Sequence, residues 1–284
     1  MSVLAALAGW FGRDVEANLA RIDAVVEEAR SRGVELLALP EACLGGYLAA
    51  LDSTDAAGAD GDEGPPVMDI DGPELSRVAR AARDMTVVVG LCESDGTDRY
   101  NSAVAVTGDG VLGVHRKVHQ PLGEGAFYAA GDVLAAVDSP AGRLGMLICY
   151  DKGFPEAART LALDGADVIT CISAWPASRT ATAADLDDDR WTHRFDLFDR
   201  VRALENQVVW VASNQTGTFG TLRFVGHAKV VGPGGEVLAV TGVDDALAVA
   251  ELDVPDAIAT ARRSMSYLRD RRPEVYLATE PSGA

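Results

Sequence analysis

Short apolar runs alternate along the chain with segments of helical periodicity, and this alternation constrains the fold more than any other feature. Residues 14–30 place apolar side chains at the 3.6-residue spacing of one helix face, and Gly33 follows as a helix stop. Residues 34–39 then form a continuous apolar run, which is typical of a buried strand. The same order of strand, helix and strand returns at residues 143–148, 154–163 and 168–172. The pattern predicts two sheets, each covered by helices.

The remaining predicted elements continue this alternation. Residues 48–69 are rich in Asp, Gly, Ala and Pro and predict a long loop, whereas Gly108 to Gly110 predict a hairpin turn. Further strands are predicted at residues 3–8, 86–92, 103–107, 111–114, 208–212, 224–231 and 246–252, and further helices at residues 73–83 and 192–205.

Three reactive side chains come shortly after predicted strands. Glu41 and Lys117 follow two of the apolar runs, and Cys149 directly follows the run at residues 144–148. Strand ends in layered α/β folds meet at one edge of a sheet, and functional sites collect there. We therefore expect the carboxylate, the ammonium group and the thiol to lie close together.

Cys149 stands between a buried strand and a helix start marked by Pro155 and Glu156. A thiol at such an elbow lies near the positive end of a helix dipole, which is expected to lower the thiol pKa and favour the nucleophilic thiolate. A single cysteine in an apolar run is more often a core residue than a nucleophile. The joint occurrence with Glu41 and Lys117 favours the nucleophile.

Composition excludes several classes of function. The chain has 284 residues, enough for one large domain or two tightly packed halves, and a formal net charge of -18. Such an acidic protein is expected to repel nucleic acid and anionic membranes, although it can attract a cationic substrate. No apolar run approaches the roughly 20 residues of a membrane helix. Acidic residues cluster at 55–63 and 185–189, and both clusters predict solvated loops.

The cysteines and histidines show no metal-binding pattern. None of the four cysteines forms a CxxC pair, and none of the four histidines has a metal-ligand spacing such as HExxH. With no signal peptide and no disulfide pattern, the chain is expected to be cytoplasmic with reduced thiols. We expect no metal and no cofactor.

A series of short motifs carries a family resemblance in the right order over nearly the whole chain. The matching residues are Pro40, Glu41, Gly46, Tyr47, Arg116, Lys117, Val118, His119, Glu124, Gly131, Asp132, Ile148, Cys149, Tyr150, Asp151, Phe154, Pro155, Glu156, Arg202, Ala203, Leu204, Glu205, Asn206, Ser213, Asn214, Gly226 and the segments 232–235 and 270–276. Together they resemble the nitrilase superfamily, the carbon-nitrogen hydrolases with a Glu-Lys-Cys triad.

The resemblance implies an architecture and an assembly. It implies a four-layer α-β-β-α sandwich of the carbon-nitrogen hydrolase type, formed by residues 1–284 as a single domain. Such proteins pair into a homodimer or a higher homo-oligomer, and residues 254–284 would then be a C-terminal tail that packs at the dimer interface.

The resemblance also implies catalytic roles. Cys149 would attack the carbonyl carbon of an amide, and Lys117 would stabilise the oxyanion with help from the Tyr150 N–H. Glu41 would transfer protons, and Glu124 would touch both the lysine and the substrate. Ammonia would leave and a thioester would remain until water releases the acid, with no cofactor.

A second set of residues is expected to bind the substrate. Tyr47, Tyr150, Phe154 and Trp175 are candidates for the pocket wall, and His119 matches a family position near the site. His227 stands where many relatives carry a small hydroxyl residue, which puts family contacts at that position in doubt.

The branch of the family stays open. Cys149, Tyr150 and Asp151 resemble the amidase and carbamoylase branches, because nitrile-cleaving relatives usually carry Cys-Trp-Glu. An amidase acting on a small-molecule amide is the first hypothesis. Alternatives are an N-carbamoyl amine or amino acid amidohydrolase, a nitrilase, an N-acyltransferase and a catalytically silent scaffold. A carbamoylase often needs an arginine for the substrate carboxylate, and the candidates are Arg179, Arg190 and Arg194.

Overall fold

Two β-sheets packed face to face form the centre of the computed structural model, which describes residues 1–51 and 64–276. The predicted acidic loop at residues 55–63 and the last part of the predicted tail, residues 277–284, lie outside the described residues. The first sheet has the spatial order β15 (Ala246–Leu252), β1 (Ser2–Ala8), β2 (Leu36–Ala38), β4 (Thr86–Ser94), β5 (Arg99–Thr107) and β6 (Gly110–Arg116), with β3 (Val67–Met68) also paired to β4.

The second sheet is built around three parallel strands. Its spatial order is β14 (Val237–Val240), β13 (Lys229–Val231), β10 (Val209–Ala212), β9 (Val168–Ile172), β8 (Gly142–Ile148) and β7 (Val137–Ser139). A separate two-stranded ribbon pairs β11 (Thr218–Phe219) with β12 (Leu222–Arg223). The helices are α1 (Val15–Ser31), α2 (Pro73–Ala82), α3 (Pro155–Leu163), α4 (Arg190–Asn206) and α5 (Val254–Ser264).

Alternate residues of the first sheet belong to different apolar cores, which confirms the four-layer sandwich. In β1, Ala5 and Leu7 pack with α1 and α2, whereas Leu4 and Ala6 pack with the second sheet. Because successive side chains of a strand point to opposite faces, this division requires helices on one side of the sheet and a second sheet on the other. Helices α3 and α4 cover the outer face of the second sheet.

The strand directions bring several strand ends to one edge. Strands β2 and β4 are parallel, and β5 runs antiparallel to both of its neighbours, so β6 points the same way as β2 and β4. Strands β8, β9 and β10 are parallel to one another in the second sheet. The predicted hairpin turn joins β5 and β6, with Thr107 opposite Gly110.

Most predicted elements agree with the structure, and one strand differs clearly. The predicted strand at residues 224–231 is wrong over its first half, since only Lys229–Val231 is a strand. Gly226 and His227 have φ angles of 66° and 57°, and two successive left-handed residues cannot continue an extended strand. Strands β7 and β14 were not predicted, and α5 lies within the segment expected to be the tail.

Candidate active site

Glu41, Lys117 and Glu124 form a fully buried ion cluster. The Lys117 Nζ lies 2.8 Å from Oε1 of Glu41, 3.0 Å from Oε1 of Glu124 and 2.7 Å from Oε2 of Glu124. Of the two contacts with Glu124, only that with Oε1 has hydrogen-bond geometry, so Oε2 is buried without a hydrogen bond. The three side chains are 0% exposed, so water does not screen their charges.

Three further donors hold the two carboxylates in place. Asn101 donates from Nδ2 to Oε1 of Glu41 at 2.6 Å and to Oε1 of Glu124 at 2.9 Å. The Tyr47 hydroxyl donates to Oε1 of Glu124 at 3.1 Å, and the Ala174 N–H donates to Oε2 of Glu41 at 2.6 Å. Sequence reasoning missed Asn101, which lies within β5.

Two glycines allow the backbone to approach closely at this cluster. A Cβ atom on Gly90 of β4 would lie 2.4 Å from the Ala42 nitrogen, so only glycine leaves room for the turn that carries Glu41. The Gly131 N–H donates to the carbonyl oxygen of Lys117 at 2.8 Å, and a Cβ atom there would lie 2.2 Å from the Arg116 carbonyl oxygen. The neighbouring backbone therefore helps to fix both reactive side chains.

Cys149 lies at a tight turn between β8 and a 3-10 helix, Cys149–Gly153. Its φ angle is 48°, a strained value for a residue with a side chain, and the residue is 4% exposed. The Ile148 N–H donates to Oδ2 of Asp151 at 3.1 Å, which closes the turn around the cysteine. The thiol is thus held at the end of β8 in the second sheet, facing the cluster from the first sheet.

Asp151 fixes the turn through two histidines. The His115 ring contacts Oδ2 through Nε2 at 2.9 Å, and His119 contacts Oδ1 through Nδ1 at 2.8 Å and through its backbone N–H at 2.9 Å. These hydrogen bonds outweigh the effect of burial and hold the pKa of Asp151 well below its ordinary value. His119 therefore connects the segment after Lys117 to the cysteine turn.

Burial and neighbouring charges shift the pKa values of the reactive groups. Burial by itself lowers the pKa of Lys117, but Glu124 and Glu41 outweigh it and hold that pKa above its ordinary value. Burial, which Lys117 only partly offsets and Glu41 reinforces, raises the pKa of Glu124. Lys117 therefore keeps its positive charge. The Glu41 and Glu124 carboxylates both interact with this one ammonium group.

The expected lowering of the Cys149 pKa is wrong. Burial and the Glu41 carboxylate raise the pKa of this thiol well above its ordinary value, against the opposing effects of Lys117 and Lys152. The free-energy cost of removing a thiolate from water exceeds the stabilisation that the N-terminus of one short helix provides. The sulfur therefore rests as a thiol, and its proton must leave during attack.

A second buried ion cluster lies behind the cysteine turn. Lys152 donates to Oδ1 of Asp199 at 2.6 Å, and Asp199 also accepts from Lys229 at 3.0 Å and from Nε1 of Trp210 at 2.9 Å. Arg202 donates from Nε to the Lys152 carbonyl oxygen at 2.8 Å. The turn that carries the nucleophile candidate is thus attached to α4.

A cavity of about 460 Å³ ends at Cys149. Of the predicted substrate-binding residues, Tyr47, Tyr150 and Trp175 line it. His119 and Phe154 are not among its lining residues. They stack on each other with ring centroids 3.7 Å apart, and Phe154 contacts the Tyr150 ring edge-on at 5.2 Å. They therefore support the wall from behind.

Helix α4 supplies lining residues that were not predicted as site residues. These residues are Trp191, Leu197 and Phe198. Two of the arginines considered for a substrate carboxylate, Arg179 and Arg194, are exposed and also line the cavity. Arg190 instead donates to the hydroxyls of Ser178 and Thr180 and is not among the lining residues.

The described part of the chain contains neither a metal-binding cluster nor a membrane-spanning helix. Within residues 1–51 and 64–276, no group of His, Cys, Asp and Glu side chains is arranged to hold a metal ion. In the same part of the chain, no helix is long and apolar enough to cross a membrane.

Two amidases resemble this chain in sequence over nearly its whole length. An (R)-stereoselective amidase from Pseudomonas sp. is 33% identical over 273 residues, covering 95% of this chain and 90% of the relative. An N-carbamoylputrescine amidase from Arabidopsis thaliana is 30% identical over 283 residues, covering 93% of this chain and 90% of the relative. Both relatives cleave carbon-nitrogen bonds according to their names.

A solved structure matches both the fold and the sequence. It is a mutant of the amidase from Nesterenkonia sp. AN1 that shows covalent addition of the acetamide moiety of fluoroacetamide at the active site cysteine. The TM-score is 0.74 at 27% identity, and the match covers 96% of this chain and 94% of that chain. The family model described as carbon-nitrogen hydrolase matches residues 4–262. The chain therefore belongs to the carbon-nitrogen hydrolase family of the nitrilase superfamily.

Proposed function

We propose that this protein hydrolyses the non-peptide carbon-nitrogen bond of a small amide, giving an acid and ammonia through a thioester on Cys149. The observation that carries the proposal is the buried cluster of Glu41, Lys117 and Glu124, of which Glu41 and Lys117 act electrostatically on the Cys149 thiol in the cavity lining. The amidase relatives and the cysteine adduct of the Nesterenkonia amidase support it.

The first half of the reaction forms the thioester. The Cys149 sulfur attacks the carbonyl carbon while its proton passes to Glu41, whose carboxylate raises the pKa of this thiol. Lys117 is held as a cation and donates to the oxyanion. The Tyr150 N–H is a second donor, because the first N–H groups of a helix have no partner within that helix. Glu41 then returns the proton to the leaving nitrogen, and ammonia departs.

The second half releases the acid. A water molecule gives a proton to Glu41 and attacks the thioester carbon, the carbon-sulfur bond breaks, and the proton returns to the Cys149 sulfur. Glu124 keeps Lys117 oriented, because its carboxylate accepts hydrogen bonds from the Lys117 ammonium group, the Tyr47 hydroxyl and the Asn101 side-chain amide. These steps use side chains of this chain, the backbone N–H of Tyr150 and one water molecule.

Ammonia release tests the proposal. The purified protein and its Cys149→Ala variant are compared on a panel of amides, N-carbamoyl amines and nitriles, with Cys171→Ala as a matched control in β9. We expect turnover in the wild type and in Cys171→Ala and none in Cys149→Ala, and mass spectrometry should find the acyl group on Cys149. Ammonia release by Cys149→Ala would refute the nucleophile, and a wild type inactive on the whole panel would favour a scaffold.

An N-carbamoyl compound is the second candidate substrate. Two observations favour it, namely the arginines Arg179 and Arg194 at the cavity and the N-carbamoylputrescine amidase among the relatives. Hydrolysis of such a compound yields an amine, carbon dioxide and ammonia, so carbon dioxide release separates the two candidates. Added amine acceptors test acyl transfer in the same assay, because an amide product then replaces the acid.

Location and assembly stay part of the proposal. All four cysteines are free and buried, which agrees with the expected reducing cytoplasm. Light scattering after size-exclusion chromatography tests the expected homodimer or higher homo-oligomer. Truncation after residue 253 tests whether the segment from Val254 onward packs at the interface, because the truncated chain would then lose that assembly.

A further inference from the structure

The cavity that ends at Cys149 has mainly apolar and aromatic walls. Trp175 is one of the aromatic lining residues, with its ring centroid 5.8 Å from that of Trp191 and 6.1 Å from that of Phe198. Leu197 is also part of the lining and is 60% exposed, so it lies where the cavity meets solvent. A volume of about 460 Å³ holds much more than a carboxamide group.

Within the described residues, the charged side chains of the cavity lining have the opposite sign to the formal net charge of the protein. Among the described residues, the charged side chains that line the cavity are Arg179 and Arg194, and both are cations. The Glu41 and Glu124 carboxylates lie behind the lining, bonded to Lys117. The formal net charge of the chain is -18, but a cationic group inside this cavity would meet two guanidinium groups.

We propose that the preferred substrates are primary amides whose acyl group is a neutral apolar chain or ring, and that amides with an ammonium group at the far end are discriminated against. This inference rests on the proposed amidase function and adds the chemistry of the acyl group. The apolar part of the acyl group packs between Trp175, Trp191 and Phe198 and remains there as the thioester while ammonia departs. Water then adds its oxygen, and the acid leaves.

Steady-state kinetics on a homologous series test this preference. The full-length protein is given acetamide, butanamide, hexanamide and the ω-amino derivative of hexanamide, and ammonia release yields kcat/KM. We expect kcat/KM to rise about fourfold for each methylene, which is equivalent to about 0.8 kcal/mol. The ω-amino derivative should be at least about tenfold poorer than hexanamide, because its charge loses water without gaining a partner. Equal kcat/KM along the series, or a preference for the ω-amino derivative, would overturn the inference.

Two leucines of α4 provide a matched pair of variants. Leu197 lines the cavity, whereas Leu204 is 41% exposed on the same helix and is not among the lining residues. We expect Leu197→Ala to lower the ratio of kcat/KM for hexanamide to that for acetamide, and Leu204→Ala to leave this ratio unchanged. Leu197→Glu should raise activity on the ω-amino derivative relative to hexanamide. Identical ratios in all variants would contradict the assignment of this wall.

The two proposals fail in different ways. If no amide in the series releases ammonia, the proposed amidase function itself is wrong. If acetamide is hydrolysed but the ratios do not depend on the acyl group, only the acyl preference is wrong.

Discussion

Replacing Asp199 with asparagine should destabilise the protein far more than the same change at the surface. The Asp199 carboxylate accepts from Lys152 at 2.6 Å, from Lys229 at 3.0 Å and from Nε1 of Trp210 at 2.9 Å. Lys229 has a second anion, Asp196, at 3.0 Å, but no other carboxylate among the described residues is within salt-bridge distance of Lys152. The variant therefore leaves a fully buried ammonium group without a counter-charge.

The expected loss follows from that burial. Removing one partner of a buried ion pair costs about 3–5 kcal/mol. With an unfolding entropy of about 2.1 cal/mol/K for each of the 284 residues, each kcal/mol changes Tm by about 1.7 °C, so Tm should fall by about 5–8 °C. The matched control is Asp23→Asn, which breaks a 2.8 Å pair with Arg77 whose side chains are 40% and 33% exposed. That change should lower the free energy of unfolding much less than Asp199→Asn, because water screens exposed pairs.

Urea denaturation of both variants at one pH and one protein concentration measures the effect. In the Asp199→Asn background, Lys152→Met should cost less than it does in the wild type, because it removes the unpaired ammonium group. The reasoning is refuted if Asp199→Asn and Asp23→Asn lower the free energy of unfolding equally at unchanged m value.

Two further predictions concern the reactive groups. Lys117→Met should lower kcat by about 10²–10³-fold through the lost oxyanion donor, and a kcat near that of the wild type would make the lysine purely structural. Because burial raises the pKa of the Cys149 thiol, iodoacetamide should modify it slowly at neutral pH and faster as the pH rises above the ordinary thiol pKa of about 8.5. Peptide mass spectrometry locates the modification, and rapid alkylation at pH 6 to 7 would contradict the raised pKa.

The sequence predicted best those elements whose periodicity is uninterrupted. Helix α1 follows the predicted apolar spacing, and Asp14 caps it by accepting from the Ala17 N–H at 3.0 Å. The strand predicted at β13 is too long, because no local sequence pattern indicates that His227 takes a left-handed conformation. Strand β14 is mostly exposed, so it lacks the apolar run that marks a buried strand.

The three reactive residues could be predicted because each follows a strand, but two of the buried residues around the site, Asn101 and Asp199, could not. Asn101 lies within β5 and reaches the cluster only because sheet pairing brings this strand beside β4 and β6. Asp199 lies on a helix with charged residues on all sides, so its burial depends on the lysines opposite it. The raised pKa of Cys149 depends on desolvation, which a sequence pattern does not report.

The site joins reactants from two different sheets, and this has a consequence for how the protein can vary. Glu41 and Lys117 are attached to the first sheet and Cys149 to the second, so in the proposed mechanism the rate depends on the distance between the sheets. Small side chains such as Ala6, Ala38 and Ala103 fill that interface at zero exposure. A displacement of about 1 Å can cost about 10²-fold in rate. The proposed mechanism therefore predicts that a larger side chain at one of these buried alanines lowers turnover by moving the two sheets apart.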